Sequence, residues 1–427
     1  MQGALSGVRV LDLTEYIAGP FAAQSLADMG AEVIKIEPPI GDFLRHTNPI
    51  TPSESRGFMA VNRGKRSVVI DLKTPEGQAI LHKAVLDTDV VMANYRAGVA
   101  RRLAADYETL SRINPRLIYA QNTAFGTFGP YSHKGGFDLV AQAMTGIIAY
   151  ESQNDPEHPH SITAAAITDF VSGTFMAFAV LSALYQREQT GRGQQVDTSL
   201  FAAGLTLQYR PLFSLEFTDK EPRDELLMRM AEARREERSV EEAREGYKTA
   251  GQPAVATNPY YSIYRTRDGS MVIACLNNRL RRAAAGILGV DDPRVKTDTF
   301  DSTALDLNAA AVLKQDIEAA FASRSTGEWC EAFDAAGIPC GPVRISEELF
   351  DDPHVAAQKL ILDLEHPIFG PVKMPNLPIR MSDAEVGAGT SSPALGQHTV
   401  EFLQELGYES AEIERLRKVG VIKVWDG

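Results

Sequence analysis

Short apolar runs alternate with helix-like stretches through the amino-terminal half of the chain. Val8–Leu13 reads as a strand, and Gly19-Pro20 opens a helical stretch that runs to Met29, where Gly30 stops it. Glu32–Ile36 is a second strand, closed by Pro38-Pro39, and Arg66–Leu72 a third. Thr74, Pro75 and Glu76 have the order of an N-cap, a first-turn proline and an acidic first turn, which predicts a helix to about Leu86. Asp89–Ala93 and Leu117–Ala120 are two further strands, with helical sequence around Tyr107–Ile113 between them. Strands and helices in alternation imply right-handed crossovers and a mostly parallel, doubly wound α/β sheet. Ligands of such sheets bind beyond the carboxyl ends of the strands. Here that edge gathers Glu15–Gly19, Lys73, Asn94–Arg96 and Asn122–Gly126, with backbone N–H groups and basic side chains suited to a phosphorylated ligand.

The pattern changes further along. Pro222–Lys248 is crowded with Glu and Arg three or four residues apart, the pattern of a solvated helix. Tyr260–Tyr264, a turn at Arg267-Asp268-Gly269 and Met271–Cys275 then read as short strands, with helices following through Trp329–Ala336. The expected organisation is a large α/β domain over 1–200 completed by 395–427, a linker over 201–223, a small α+β domain over 224–338, and a second linker over 339–394 that is rich in Pro and Gly.

Composition narrows the function classes. The chain has 427 residues, 44% hydrophobic and 23% charged, with a net charge of −13. That balance argues against a nucleic-acid coat or an anionic-membrane binder, while leaving room for a local basic pocket. Three scattered cysteines, Cys275, Cys330 and Cys340, make neither a disulfide framework nor a C-x-x-C metal site. No basic leader opens the chain, and the apolar run Phe170–Tyr185 is shorter than the ~20 residues a bilayer requires and reads as a buried helix. A soluble protein of the reducing cytoplasm is expected. No G-x-S-x-G, H-E-x-x-H, P-loop or G-x-G-x-x-G string is present, which weakens a nicotinamide dehydrogenase reading. His158-Pro159-His160 has no third ligand in view, so no metal is expected.

More specific strings run almost end to end. Among them are Gly7–Leu13, Ala18-Gly19-Pro20, Leu26–Glu37, Asn62–Ser67, Asp71–Gly77, Gly191–Gln194, Ala336–Val343 and Gly396–Thr399. In this order they resemble the class III coenzyme A transferases, the family of formyl-CoA, carnitine and succinyl-CoA-dependent transferases and of the α-methylacyl-CoA racemases. The resemblance implies a Rossmann-like large domain made from both termini, a small domain, long linkers and an interlocked homodimer. It also implies coenzyme A thioesters as substrates, with a free carboxylate as acceptor and no further cofactor.

The same resemblance carries Asp169, in Ile167–Gly173, to the position of the catalytic carboxylate, which attacks the donor thioester and later holds CoA as an aspartyl thioester. Taken by itself, Asp169 or Thr168 reads as the N-cap of a long apolar helix, and the two readings are compatible. Asp138 matches a second acid near the site, although a loop aspartate also caps helices. Phe137 stands where the racemases carry a histidine and cannot move a proton, which disfavours racemase chemistry. The CoA contacts implied are Ile17 and Ala18, Asp71, Leu72 and Lys73, Asn94 and Tyr95, Arg102, and Lys134, with Lys73 and Arg102 facing phosphates. Ile17 replaces a Gln of the formyl-CoA transferases, Pro38 replaces a basic residue, and Gly251-Gln252-Pro253 stands for their tetraglycine loop, all of which weigh against formyl-CoA and oxalate as substrates. An acyl-CoA racemase and a CoA-binding protein without turnover are the alternatives.

Overall fold

The computed structural model describes residues 2–152, 159–244, 258–301, 304–305 and 307–426. The chain divides into two compact units, Met1–Glu245 with Gln358–Gly427, and Gly246–Ala357.

The first unit is built on strands β1 (Arg9–Asp12), β2 (Glu32–Glu37), β3 (Lys65–Ile70), β4 (Val90–Ala93), β5 (Ile118–Thr123) and β6 (Gln195–Ser199). With the short carboxyl-terminal strand Ile422–Lys423 they form a seven-stranded sheet. Its order is Ile422–Lys423, β3, β2, β1, β4, β5, β6, and only the terminal strand is antiparallel, placing Ile422 opposite Ile70. The register sets Val10 against both Val33 and Val90. Neighbouring residues point to opposite faces, and both faces are apolar. On one, Leu11, Ile34, Val68, Val91 and Tyr119 pack under Ile80, Leu81 and Val85 of α2 (Pro75–Val85), Leu110 of α3 (Tyr107–Ile113), and Phe402 and Leu416 of the carboxyl-terminal helices. On the other, Val10, Val33, Met92 and Ile118 meet Ala22, Ala23 and Leu26 of α1 (Ala18–Asp28) and Met176 and Val180 of a long helix, Ile167–Thr190.

Most of the expected elements form near their expected bounds. Thr74 caps α2, its side chain accepting the Gly77 N–H at 3.0 Å. The helix Ile167–Thr190 is longer than the run Phe170–Tyr185 and, at 24 residues, is long and apolar enough to cross a membrane, so the expectation that it is too short is corrected. It packs instead on α1 and the sheet. The tail after Gly396 returns to this unit, where His398 N–H donates to Ser67 O at 2.9 Å. Two strands of this sheet were not legible: β6, whose Gln-Val-Asp-Thr-Ser sequence is largely polar, and Ile422–Lys423, only two residues long. The stretch expected as an irregular linker also holds a hairpin, Ile361–His366 with Gly370–Pro375, turned at Gly370 with φ 70°. The Pro and Gly residues that obscured its periodicity form the turn and the edge positions.

The charged segment is helical over Glu216–Arg235, and Ala233 is the buried residue of that helix. In the second unit, Tyr261–Arg265, Ser270–Ala274 and Cys340–Pro342 form a three-stranded antiparallel sheet. Its core stacks Tyr264 on Phe321 at 4.3 Å, and Trp329 Nε1 donates to Phe321 O at 2.9 Å.

Candidate active site at the switch of the sheet

The strand order reverses between β1 and β4, and the segments that leave those two strands diverge to opposite sides. They leave a cavity of about 540 Å³ beyond the carboxyl ends of the strands. Its wall is formed by residues following β1 (Leu13, Glu15, Tyr16, Ala18), β3 (Asp71, Leu72, Lys73) and β4 (Asn94–Ala97), by the end of β5 and its continuation (Asn122–Phe125), and by Lys134–Phe137 and Asp169. Of the sequence-derived candidates, Ala18, Asp71, Leu72, Lys73, Asn94, Tyr95, Lys134 and Asp169 therefore share one wall. Ile17 does not line it and packs against Leu44, Phe58 and Val61. Arg102, exposed on the short helix Val99–Arg102, is also outside the wall, and its Nη1 lies 3.7 Å from where a Cβ on Gly98 would stand. Gly251-Gln252-Pro253 and His158 lie outside the described residues.

Asp169 sits in the first turn of the helix Ile167–Thr190. The N-cap of that helix is Ala166, which offers no side-chain acceptor, so the expectation of a cap at Thr168 or Asp169 is corrected. Asp138 does the capping instead. Its Oδ1 accepts the Thr168 N–H at 2.8 Å and the Thr168 hydroxyl at 2.7 Å, while its Oδ2 accepts from Gln142 at 2.7 Å. This leaves the Asp169 carboxylate free to face the cavity. Burial pushes its pKa up, the Asp138 charge adds to the rise, and the nearby Ala18 N–H opposes both; the result is about 7.

The Ala18 donor is available because α1 starts without a side-chain cap at Ile17, leaving first-turn N–H groups for other acceptors. The two helices come close at Gly173, one turn after Asp169, where a Cβ would stand 2.5 Å from the Ala18 carbonyl oxygen.

The loop between β1 and α1 is held from two sides. Asn94 spends its side chain on it: Oδ1 accepts the Glu15 N–H at 3.0 Å and Nδ2 donates to Glu15 O at 2.7 Å. Asn94 thus ties the ends of β1 and β4 across the switch point. Tyr16 has φ 67°, a left-handed conformation that costs a bulky residue ~1–2 kcal/mol. Its ring meets Phe137 edge-on at 5.1 Å. Burial raises the Glu15 pKa, Asp42 adds to the rise and Lys35 opposes it.

Lys73, Arg96 and Lys134 supply positive charge to a wall in a chain of net charge −13. None of the three has a carboxylate within 4.0 Å among the described residues. Arg96 lies over Gly135, with its Cζ 3.0 Å from where a Cβ there would stand. Arg96 and Glu15 fall in the segments the sequence placed after strands, but no pattern in the sequence separated them from ordinary surface charge. Their signal is position alone: each follows a strand that borders the switch point.

Fold and site together are those of an α/β enzyme with its cavity at the switch of a parallel sheet. The family model of CoA-transferase family III matches residues 5–399, and the chain belongs to that family. A succinyl-CoA:glutarate CoA-transferase of Mus musculus is 32% identical over 428 residues, which are 98% of this chain and 90% of the mouse protein. An acetyl-CoA:oxalate CoA-transferase of Acetobacter aceti is 33% identical over 383 residues, covering 89% of this chain and 90% of its own. A solved CaiB/BaiF family protein from Brucella suis superposes with a TM-score of 0.74 at 29% identity, over 95% of this chain and 100% of the other. The protein is an enzyme, a class III CoA-transferase.

Proposed function

We propose that this enzyme moves CoA from an acyl-CoA donor to a free carboxylic acid, with Asp169 as the covalent nucleophile. The observation that carries the reading is the Asp169 carboxylate in the wall of the cavity, beside Ala18 at the start of α1. An Asp169 oxygen attacks the donor thioester carbonyl, the C–S bond breaks, and CoA leaves as its thiolate. The mixed anhydride that remains is attacked by the thiolate at the Asp169 carbonyl carbon, which frees the donor's carboxylate and leaves aspartyl-CoA. The acceptor carboxylate then displaces CoA through a second anhydride, and the thiolate takes the acceptor's acyl group. Aspartate is regenerated and CoA leaves as the thioester of the acceptor, and because a carboxylate replaces a carboxylate, acyl-transfer potential is roughly conserved and no ATP is consumed.

The Ala18 N–H favours the ionised form of Asp169, which is the form that attacks. Lys73, Arg96 and Lys134 offer charge-assisted hydrogen bonds to the phosphates of CoA. Phe137 has no proton to exchange, which supports transfer over racemisation.

Incubation with succinyl-CoA and a small acyl-CoA panel, followed by intact mass, tests the reading. A CoA adduct that disappears in Asp169→Ala is expected. Tight CoA binding without an adduct from any donor would instead assign a racemase or a CoA-binding protein.

We also propose a homodimer. Phe175, Phe178 and Tyr185 of the helix Ile167–Thr190 are exposed, Phe178 to 65% and Tyr185 to 72%, and Leu212, Phe213 and Phe217 add further exposed apolar surface in the same unit. Apolar exposure on this scale fits burial against a second copy.

A further inference from the structure

Four buried charged side chains lie directly under the loop that leads from β1 into α1: Asp12, Lys35, Lys65 and Asp42. Burying charges far from solvent is costly unless each is paired, so a core that retains four invites the question of what they hold. Every polar contact they make with backbone outside their own segments falls on that loop or on the first turn of α1. Asp12 Oδ1 accepts the Thr14 N–H at 3.0 Å and the Thr14 hydroxyl at 2.5 Å. Lys35 Nζ donates to Thr14 O at 2.7 Å. Asp42 Oδ1 accepts the N–H of Tyr16 at 3.2 Å, as well as that of Leu44 at 2.9 Å. Lys65 Nζ reaches past the loop to Pro20 O at 2.8 Å.

The side chains also hold one another. Lys65 pairs with Asp12 at 2.8 Å, and Lys35 with Asp42 at 2.9 Å and Asp12 at 4.0 Å. Asn62 fixes Lys65 from the side at 2.8 Å, and the buried Glu37, Arg45 and Glu54 complete the charges on the Asp42 side. The backbone between Thr14 and Pro20 is thereby gripped at both ends and at its strained residue, Tyr16 with φ 67°. Ala18 lies between those grips.

We infer that the tetrad Asp12–Lys65–Lys35–Asp42 is a positioning device for the reaction, holding residues 14–20 so that Ala18, at the start of α1, stays against the helix of Asp169 where Gly173 admits it. This rests on Asp169 being the nucleophile. None of the four side chains touches the reacting atoms. They act through the Tyr16 backbone, whose left-handed conformation a free loop would relax and whose relaxation would carry Ala18 away.

The test is the single-turnover rate of the CoA adduct across pH, with folding checked by circular dichroism and urea unfolding. Tyr16→Gly and Tyr16→Pro both remove the ring, but glycine accepts the positive φ while proline forbids it and lacks the N–H that Asp42 accepts. The inference expects Tyr16→Pro to react roughly 10- to 100-fold more slowly than Tyr16→Gly. It expects the ascending limb to lie at higher pH in the proline variant, because the Ala18 N–H that favours the ionised form of Asp169 moves away. Asp138, the charge that acts on Asp169, and the charged wall residues Glu15, Lys73, Arg96 and Lys134 are unchanged in both. Lys35→Met with Asp42→Leu replaces the pair by apolar groups of similar size and should slow the adduct likewise, whereas Asp42→Asn, which keeps an oxygen for the Tyr16 N–H, should recover most of the rate. Equal rates and limbs for the proline and glycine variants would overturn the inference, as would a folded double variant reacting like the parent. Absence of an adduct in the unsubstituted enzyme would overturn the nucleophile reading instead.

Discussion

A Cβ on Gly173 would stand 2.5 Å from the carbonyl oxygen of Ala18, so the two helices that carry Asp169 and Ala18 touch where only glycine fits. One helical turn separates Gly173 from Asp169, and the same close approach sets Asp169 near the start of α1, whose Ala18 N–H lowers its pKa. Gly173→Ala is expected to cost about 1–3 kcal/mol of stability and to slow adduct formation more than tenfold, because backbone rather than a flexible side chain must yield. Gly286→Ala, inside the helix Asn278–Leu288 with nothing within 4 Å of the new Cβ, is the control. It should be stabilising by about 0.5–1 kcal/mol in urea unfolding. Equal costs for the two substitutions would remove the helix contact as the cause.

The pH dependence follows from the same carboxyl. Burial and then Asp138 raise the Asp169 pKa to about 7, so below that pH the attacking form becomes scarcer and the adduct rate should fall tenfold per unit. Asp138→Asn removes the like charge while keeping an oxygen for the Thr168 N–H, and should move the limb to lower pH. A limb that stays in place, or moves up, contradicts this assignment.

The same shift has a stability sign. A carboxyl whose folded pKa lies above its ordinary value of 3.8 binds its proton more tightly when folded, so its contribution is lost as pH rises from 3.8 through about 7. Asp169→Asn should therefore raise the melting temperature at pH 8 and do so less at pH 5. An equal effect at both pH values would show that the ionised carboxylate is not strained by its setting.

Arg45 is fully buried between two carboxylates, at 2.8 Å from Glu37 and 2.6 Å from Glu54, with its guanidinium 3.6 Å from the centre of the Phe58 ring. Arg45→Met leaves both acids unpaired and is expected to cost about 3–5 kcal/mol. Burial pushes the Glu37 pKa up, but Arg45, with Lys35 and the Ser67 hydroxyl, holds the group down at about 2, so the stabilisation it brings is present above its ordinary 4.5 and is lost as pH falls from 4.5 towards 2. Urea midpoints of the parent should fall over that window. In Arg45→Met the acid loss should shrink, since an unpaired Glu37 prefers its proton.

The proposed dimer gives a separate check. Phe178→Asp puts a charge on the exposed apolar face of the helix Ile167–Thr190 without touching its buried stripe, Met176 and Val180. Sedimentation velocity should show the parent as a dimer and the variant shifted to monomer. A parent that sediments as a monomer at every concentration excludes the dimer.

Much of the large unit was legible because strands and helices in a parallel α/β sheet are signalled within a few residues. Thr74 and Pro75 announce α2, and Gly30 ends α1. The polar strand β6 and the two-residue strand Ile422–Lys423 had no such signal, since their place depends on an edge already built by others. Within the site, motif context singled out Asp169 and Ala18, but it also brought in Arg102 and Ile17, which do not line the cavity.

The sequence by itself determined the element types, the family and the residue that carries the nucleophilic carboxyl in the proposed reaction, because periodicity, capping residues and ordered motifs are properties of neighbouring positions. Tertiary structure alone decided which charges would be buried together. Glu-Val-Ile-Lys-Ile-Glu alternates like a strand with one wet face, yet Lys35 and Glu37 are both buried, their charges met by Asp42 and Arg45. Tertiary structure likewise decided that Asp138 caps the helix of Asp169 from 30 residues away and that Gly173 faces Ala18. Such pairings depend on desolvation and close packing between segments distant in the chain, and these forces act only once the sheet has brought the segments together.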